Sequence, residues 1–302
     1  MRKDLFNAIV LLATQGKDAE ICDTKVSTEE KFCRQVLDEL ELTLENLSSD
    51  IVEVRKKAIS TLLNKACMSQ MRNDAPIARE WFLIDEVRCK IFEIARKEQE
   101  EAILCNLFWF IGHICENWSF SSKLCFGDRP TNIEYLKDGY ELFSFFMQDS
   151  RKEVQFIAAI QLTFFRQQKA WDYLYNILCN KPNQKKISSI TSVLFRYGIL
   201  RLRSLNAGDF KVCKTFDELQ IEYNKEGVSV ERAKDFCILL QQIWKTRKLN
   251  EEVQDGIMKA FSSIGTSDTI DFIKKQMLLI EEDSYLYDTS AECLEDLQHE
   301  HL

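Results

Sequence analysis

Asp50–Met68, DIVEVRKKAISTLLNKACM, decides how this chain is read. Its ordering of Val54, Arg55, Ala58 and Leu62 returns further along. In Asp149–Phe165, DSRKEVQFIAAIQLTFF, the same places hold Val154, Gln155, Ala158 and Leu162. A third copy has Val253, Gln254, Ile257 and Phe261. The first two follow a short polar turn, SSD in one case and QDS in the other. Apolar residues recurring at this spacing predict amphipathic helices, and recurrence of the whole block predicts a repeat architecture.

The third copy runs on through Ile264-Gly265-Thr266-Ser267-Asp268 into Ile270, Phe272 and Ile273, so that a glycine-led turn joins two apolar helices. Weaker echoes occur at Leu104–Gly112, Ile190–Gly198 and Tyr287–Leu294, and in the first two a glycine again follows an apolar pair. The ordering resembles the first helix of a HEAT repeat, over about residues 50 to 295. That resemblance implies an all-α, degenerate HEAT-like solenoid, a right-handed superhelix of antiparallel helix pairs. It also implies that Ala58, Ala158 and Ile257 sit where helices meet, that Val54 and Leu62 face the core, and that Arg55 points to the edge between repeats.

Composition fits an all-α class. The 302 residues are 45% hydrophobic, and only three prolines and nine glycines interrupt them, which leaves long helical stretches. Twenty phenylalanines point to helices packed through large rings. Leu5, Ile9 and Leu12 mark an ordinary first helix rather than a secretion signal, since Asp4 and Asn7 interrupt the apolar run. No apolar run approaches the roughly 20 residues of a membrane span, so a soluble, cytoplasmic protein is expected. The eleven cysteines lack any C-x-x-C pair. Cys67, Cys89, Cys105, Cys179 and Cys237 fall in apolar patterns and read as small buried hydrophobes carrying free thiols. Cys105, Cys115 and Cys125 recur every ten residues near His113, too widely spaced for a structural zinc site.

The layout expected is one repeat domain over 1–302. Capping helices fill 1–48, HEAT-like repeats 49–280, and an acidic cap or tail 281–302. Ser27 and Glu30 suggest a capping box opening a helix with the stripe Phe32, Val36, Leu37, Leu40, Leu44 and Leu47. After a connection at Asn73–Glu80, a single helix should carry Trp81, Phe82, Ile84, Val87, Ile91 and Ile94. Asn117–Gly139 is the longest break in periodicity.

Catalytic signals are few. Of three histidines, His299 and His301 lie in the final QHEHL, and His113 sits among Leu107, Phe108, Ile111 and Ile114, a packing environment. No phosphate-binding glycine loop, Gly-x-Ser-x-Gly elbow or His-Glu-x-x-His helix occurs. HEAT-like di-iron hydroxylases need several His-Glu pairs, and this chain has only His299-Glu300. HEAT-like glycosylases of alkylated bases need aromatics over a basic concavity, for which Trp109, Trp118, Trp171 and Trp244 are the available side chains. No enzyme, no cofactor and no metal is expected.

Charge is the one localised functional signal in a chain of net charge −8. Between Lys181 and Lys214 eight basic residues, Lys181, Lys185, Lys186, Arg196, Arg201, Arg203, Lys211 and Lys214, meet one acid, Asp209. Between Glu281 and Glu300 there are eight acids and no Lys or Arg. These stretches are either solvated faces or complements of each other, within one chain or between chains. The expected function is a protein-protein interaction scaffold, with Lys185, Lys186, Arg196, Arg201, Arg203 and Lys211 meeting an acidic protein partner. Nucleic acid is the less favoured ligand, and no membrane partner is expected.

Overall fold

A computed structural model describes residues 23–67, 75–117, 132–198 and 228–299. These residues form thirteen α-helices and no strand, so the all-α expectation holds. None of the helices is long and apolar enough to cross a membrane. The chain divides into two units, with the described residues up to Ile157 in the first and those from Ala158 in the second.

The first unit contains α1 (Asp23–Asn46), α2 (Val52–Cys67), α3 (Ala75–Phe82), α4 (Asp85–Lys97), α5 (Glu101–Asn117) and α6 (Ile133–Phe146). The division falls within α7 (Lys152–Phe164). The main seam lies between α2 and α5, with α1 against α2 and α3, and α4 against α3, α5 and α6. Ala58, Ile59 and Leu62 are buried on α2, as are Leu104, Leu107, Phe108 and Ile111 on α5. Rings lock the layers edge to face: Phe82 to Phe110 at 5.0 Å, Phe92 to Tyr135 at 5.2 Å and Phe108 to Phe143 at 5.4 Å. Such pairs add about 0.5–1.5 kcal/mol beyond the burial of their area.

Charged side chains tie together the turns that precede α2, α5 and α7. Arg55 donates twice to Glu98, at 2.9 and 3.2 Å, and a third time to the Ser49 carbonyl at 2.9 Å. The Glu98 side chain is only 3% exposed, and it also accepts from the Glu100 amide at 2.8 Å. Arg151 repeats the device, gripping Asp149 through two nitrogens at 2.8 and 2.9 Å and donating to the Gln99 carbonyl at 2.8 Å. Arg55 therefore links the turn before α2 to the turn before α5.

The second unit contains α8 (Gln168–Cys179), α9 (Gln184–Tyr197), α10 (Val230–Thr246), α11 (Glu251–Ile264), α12 (Ser267–Met277) and α13 (Tyr285–His299). Two layers emerge from its contacts. In one, α9, α11 and α13 lie side by side and run in the same direction. Gln184 meets Asn250 at one end of the α9–α11 seam, and Phe195 meets Ser263 at the other. Asp255 meets Thr289 on the α11–α13 seam, where Gly265 also approaches Leu297. The second layer is α8 and α10, joined by Arg232, which pairs with Asp172 at 2.8 Å and lies 4.5 Å over the Tyr175 ring. Trp244 adds α12 to that layer by donating to Gln276 at 2.8 Å. α10 and α11 are antiparallel, since Cys237 lies against the Ile264 carbonyl while a short turn joins their other ends.

Several expectations change. Ala58, Ala158 and Ile257 are all buried, but Val54 is only half-buried, whereas Val154 and Val253 are enclosed. Phe32 is 41% exposed and leaves the α1 stripe, its place taken by Cys33. α1 is already helical from Asp23, so Ser27 and Glu30 fall inside it and open nothing. The helix expected through Trp81 and Ile94 is two helices broken at Leu83-Ile84, because Ile84 turns extended and the freed Leu83 carbonyl accepts from Asn132. Cys89 and Cys179 are exposed, since each lies beside rather than on its helix's buried stripe. The turn at Gly265 does join α11 to α12, whose Phe261 and Phe272 rings meet at 5.8 Å, while α11 also packs on α9, α10 and α13. Met1–Cys22, most of the Asn117–Gly139 break, Trp118 and Cys125 lie outside the described residues.

Two outcomes follow from these seams. A Cβ on Gly256 would stand 2.7 Å from the Thr191 hydroxyl oxygen, which is itself enclosed. Gly256→Leu should therefore cost about 2 kcal/mol by overpacking, read from urea unfolding, and Thr191→Ala in the same chain should recover part of it. An unchanged midpoint in Gly256→Leu contradicts the close approach. In the first unit, the hydrogen bond from Arg151 holds the Asp149 carboxyl below its ordinary range. The stability it contributes is present above the unfolded pKa of about 3.9 and disappears as pH falls through the lower folded value. The gap between wild type and Asp149→Asn should be about 1–2 kcal/mol at neutral pH and close in acid; a gap independent of pH contradicts it.

Candidate interaction surface

The layer of parallel helices in the second unit determines which charges become neighbours. Because α9, α11 and α13 begin at the same end, the turns that lead into them form a row along one edge of that unit. Each turn is built by local hydrogen bonds. Asn180 closes α8 by donating to the Asn176 carbonyl at 2.7 Å, and Lys181 follows with a φ of 52°, in the left-handed region. Asn183 then caps α9 by accepting from the Lys186 amide at 2.9 Å. Asn250 does the same for α11, accepting from the Val253 amide at 3.0 Å. Ser284 accepts from the Tyr287 amide at 3.2 Å at the start of α13 and donates to the Glu281 carbonyl at 2.6 Å.

One hydrogen bond joins the first two turns. The Asn250 amide donates to Gln184 Oε1 at 2.9 Å, which brings Lys185 and Lys186 beside the Arg247–Asn250 turn. Lys181, Lys185 and Lys248 are exposed, and Arg247 is half-buried with one guanidinium nitrogen, Nη1, enclosed and unbonded. Exposed Glu251 and Glu252 follow on α11. The third turn is tied to its neighbour by Lys259, which donates to Asp255 at 2.8 Å and to the Tyr285 hydroxyl at 3.0 Å. Those bonds, Asp255 first, hold the Lys259 ammonium above its ordinary pKa. This last turn presents Leu278 and Leu279, 85% and 80% exposed, and then exposed Glu281, Glu282 and Asp283.

The expected basic site is thus redistributed. Lys185 and Lys186 stand in the row. Arg196 is exposed too, but eleven residues beyond Lys185 on α9, about 16 Å away at 1.5 Å per residue, so the two ends of the helix do not share a ligand-sized site. Arg201, Arg203 and Lys211 lie outside the described residues. Arg247 and Lys248 were not singled out by sequence, although a signal existed. Gly198 and Gly265 occupy equivalent places after α9 and α11, which puts the N-terminal turns of those helices side by side.

Among the described residues, no three His, Cys, Asp or Glu side chains come together to hold a metal. Trp171 is buried in the core, Trp244 is committed to Gln276, and exposed Trp109 belongs to the first unit. The seven cysteines with described side chains are all free thiols.

No family profile matches this chain, and no curated protein matches it. Among solved structures, a crystal structure of an engineered protein is similar at a TM-score of 0.31 and 15% identity, over 97% of this chain and 88% of that one.

Proposed function

We propose that this chain is a protein-protein interaction scaffold of the HEAT-like, right-handed solenoid kind, working in the cytoplasm without catalysis or cofactor. The reading is supported by the repeated block, by the burial of Ala58, Ala158 and Ile257, and by the layer of like-directed helices α9, α11 and α13 in the second unit. Its contact surface is the row of turns, and the basic end of that row receives an acidic segment of a partner protein. The Gln184–Asn250 hydrogen bond carries this assignment, because it joins basic residues from two hairpins into one surface. Glu251, Glu252 and Glu281–Asp283 share the row, and their repulsion of phosphates weighs against a nucleic-acid ligand.

Affinity capture from the native source tests the reading, with wild type compared to a chain carrying Lys185→Glu, Lys186→Glu and Lys248→Glu. Proteins retained by the wild type should be lost from the variant, while its thermal midpoint stays nearly unchanged, since Lys185 and Lys248 are exposed and half-buried Lys186 lies in the first turn of α9, where a carboxylate is favoured. Retention of the same proteins by both chains contradicts the assignment.

A further inference from the structure

The row of turns carries a sign pattern that has its own complement. Lys181 and Lys185 make the first turn positive. The middle turn has both signs, Arg247 and Lys248 before α11 and Glu251 and Glu252 at its start. Glu281, Glu282 and Asp283 make the last turn negative. Among the described residues, Lys181, Lys185, Lys248, Glu251, Glu252 and these three acids make no ion pair, although they share one edge. Opposite charges are therefore displayed in order and left unsatisfied among the described residues.

We infer that the acidic partner of this row is a second copy of the same chain, docked about a two-fold axis that crosses the row at right angles at the middle turn. The inference rests on the scaffold reading and names its partner. Under that symmetry a surface meets itself, so the first turn of one copy faces the last turn of the other. Positive meets negative at both ends, and the mixed middle turn sets Lys248 against the other copy's acids at the start of α11. No other rotation satisfies both ends at once. Apolar area comes from Leu278 and Leu279, which protrude beside the acidic turn and would lie over the aliphatic stems of the opposite Lys181 and Lys185. Exposed leucines on an ordered turn are the kind of surface that association covers. Here the Leu279 amide donates to the Gln276 carbonyl at 2.8 Å and the Ser284 amide to the Glu281 carbonyl at 3.0 Å, so the turn needs little further ordering.

Sedimentation velocity on three full-length chains tests the inference. One is wild type, one carries Lys181→Glu and Lys185→Glu, and one carries Glu281→Lys, Glu282→Lys and Asp283→Lys. Wild type should sediment as a dimer at tens of micromolar in low salt and dissociate as salt rises, because rim charges are screened. Each variant alone sets like charges against each other and should associate at least roughly tenfold more weakly. An equimolar mixture of the two variants restores opposite signs at both pairs of ends, and it should dimerise where neither component does; this also shows that both are folded. Leu278→Ser with Leu279→Ser should weaken the wild-type dimer in low and high salt alike. A wild type that stays monomeric, or variants that dimerise as well alone as together, overturns the inference. If wild type is monomeric while the Lys185, Lys186 and Lys248 variant still loses its captured proteins, the second copy is wrong as partner and the scaffold reading stands.

Discussion

The close, parallel seam between α9 and α11 sets the geometry of the second unit. Ile187, Ile190, Thr191 and Leu194 on one helix and Val253, Ile257, Ala260, Phe261 and Ile264 on the other are almost completely enclosed. Each large apolar side chain contributes about 1.5–3 kcal/mol on burial, against roughly 1 kcal/mol for a neutral hydrogen bond, so the apolar seam decides that the helices meet. Polar contacts decide how they are aligned. Gln184 with Asn250 at one end and Ser263 with Phe195 at the other leave no freedom to slip by a turn. Gly256 against Thr191, and Gly198 against Ile264, hold the axes close.

The first unit reaches a comparable alignment with charge. Arg55 and Glu98 are both largely removed from water, and the pair is bidentate, with the remaining guanidinium nitrogen satisfied by a carbonyl. A buried pair of this kind adds little net stability over an apolar substitute, but removing one partner strands the other at a cost of about 3–5 kcal/mol. Its effect is therefore on register. Helices shifted by one turn would bury a carboxylate alone, and that alternative is closed.

Periodicity made the helical class legible from sequence. The three blocks beginning near Val54, Val154 and Val253 predict apolar stripes, and Ala58, Ala158 and Ile257 are buried as those stripes require. Other features depend on partners that no local pattern reveals. Leu83-Ile84 interrupts an apolar run because Asn132, far along the chain, takes the freed carbonyl. Phe32 and Cys89 belong to apolar stretches, yet the neighbouring helix covers other positions. For the surface, local charge density was a partial guide. It singled out Lys185 and Lys186 but grouped Arg196 with them, because a count along the chain ignores the length of α9. It passed over Lys248, which comes into place only when α11 packs beside α9.

The functional account reduces to one spatial statement, that the turns opening α9 and α11 stand side by side and pool the charges of two hairpins. Dipolar broadening between nitroxide spin labels placed singly at Lys185 and Lys248, recorded on chains diluted with unlabelled protein, measures that statement directly. Adjacent helix axes lie about 8–10 Å apart, so the account predicts strong broadening, with the labels no farther apart than roughly twice that spacing. Spectra equal to the sum of the two singly labelled chains would contradict it.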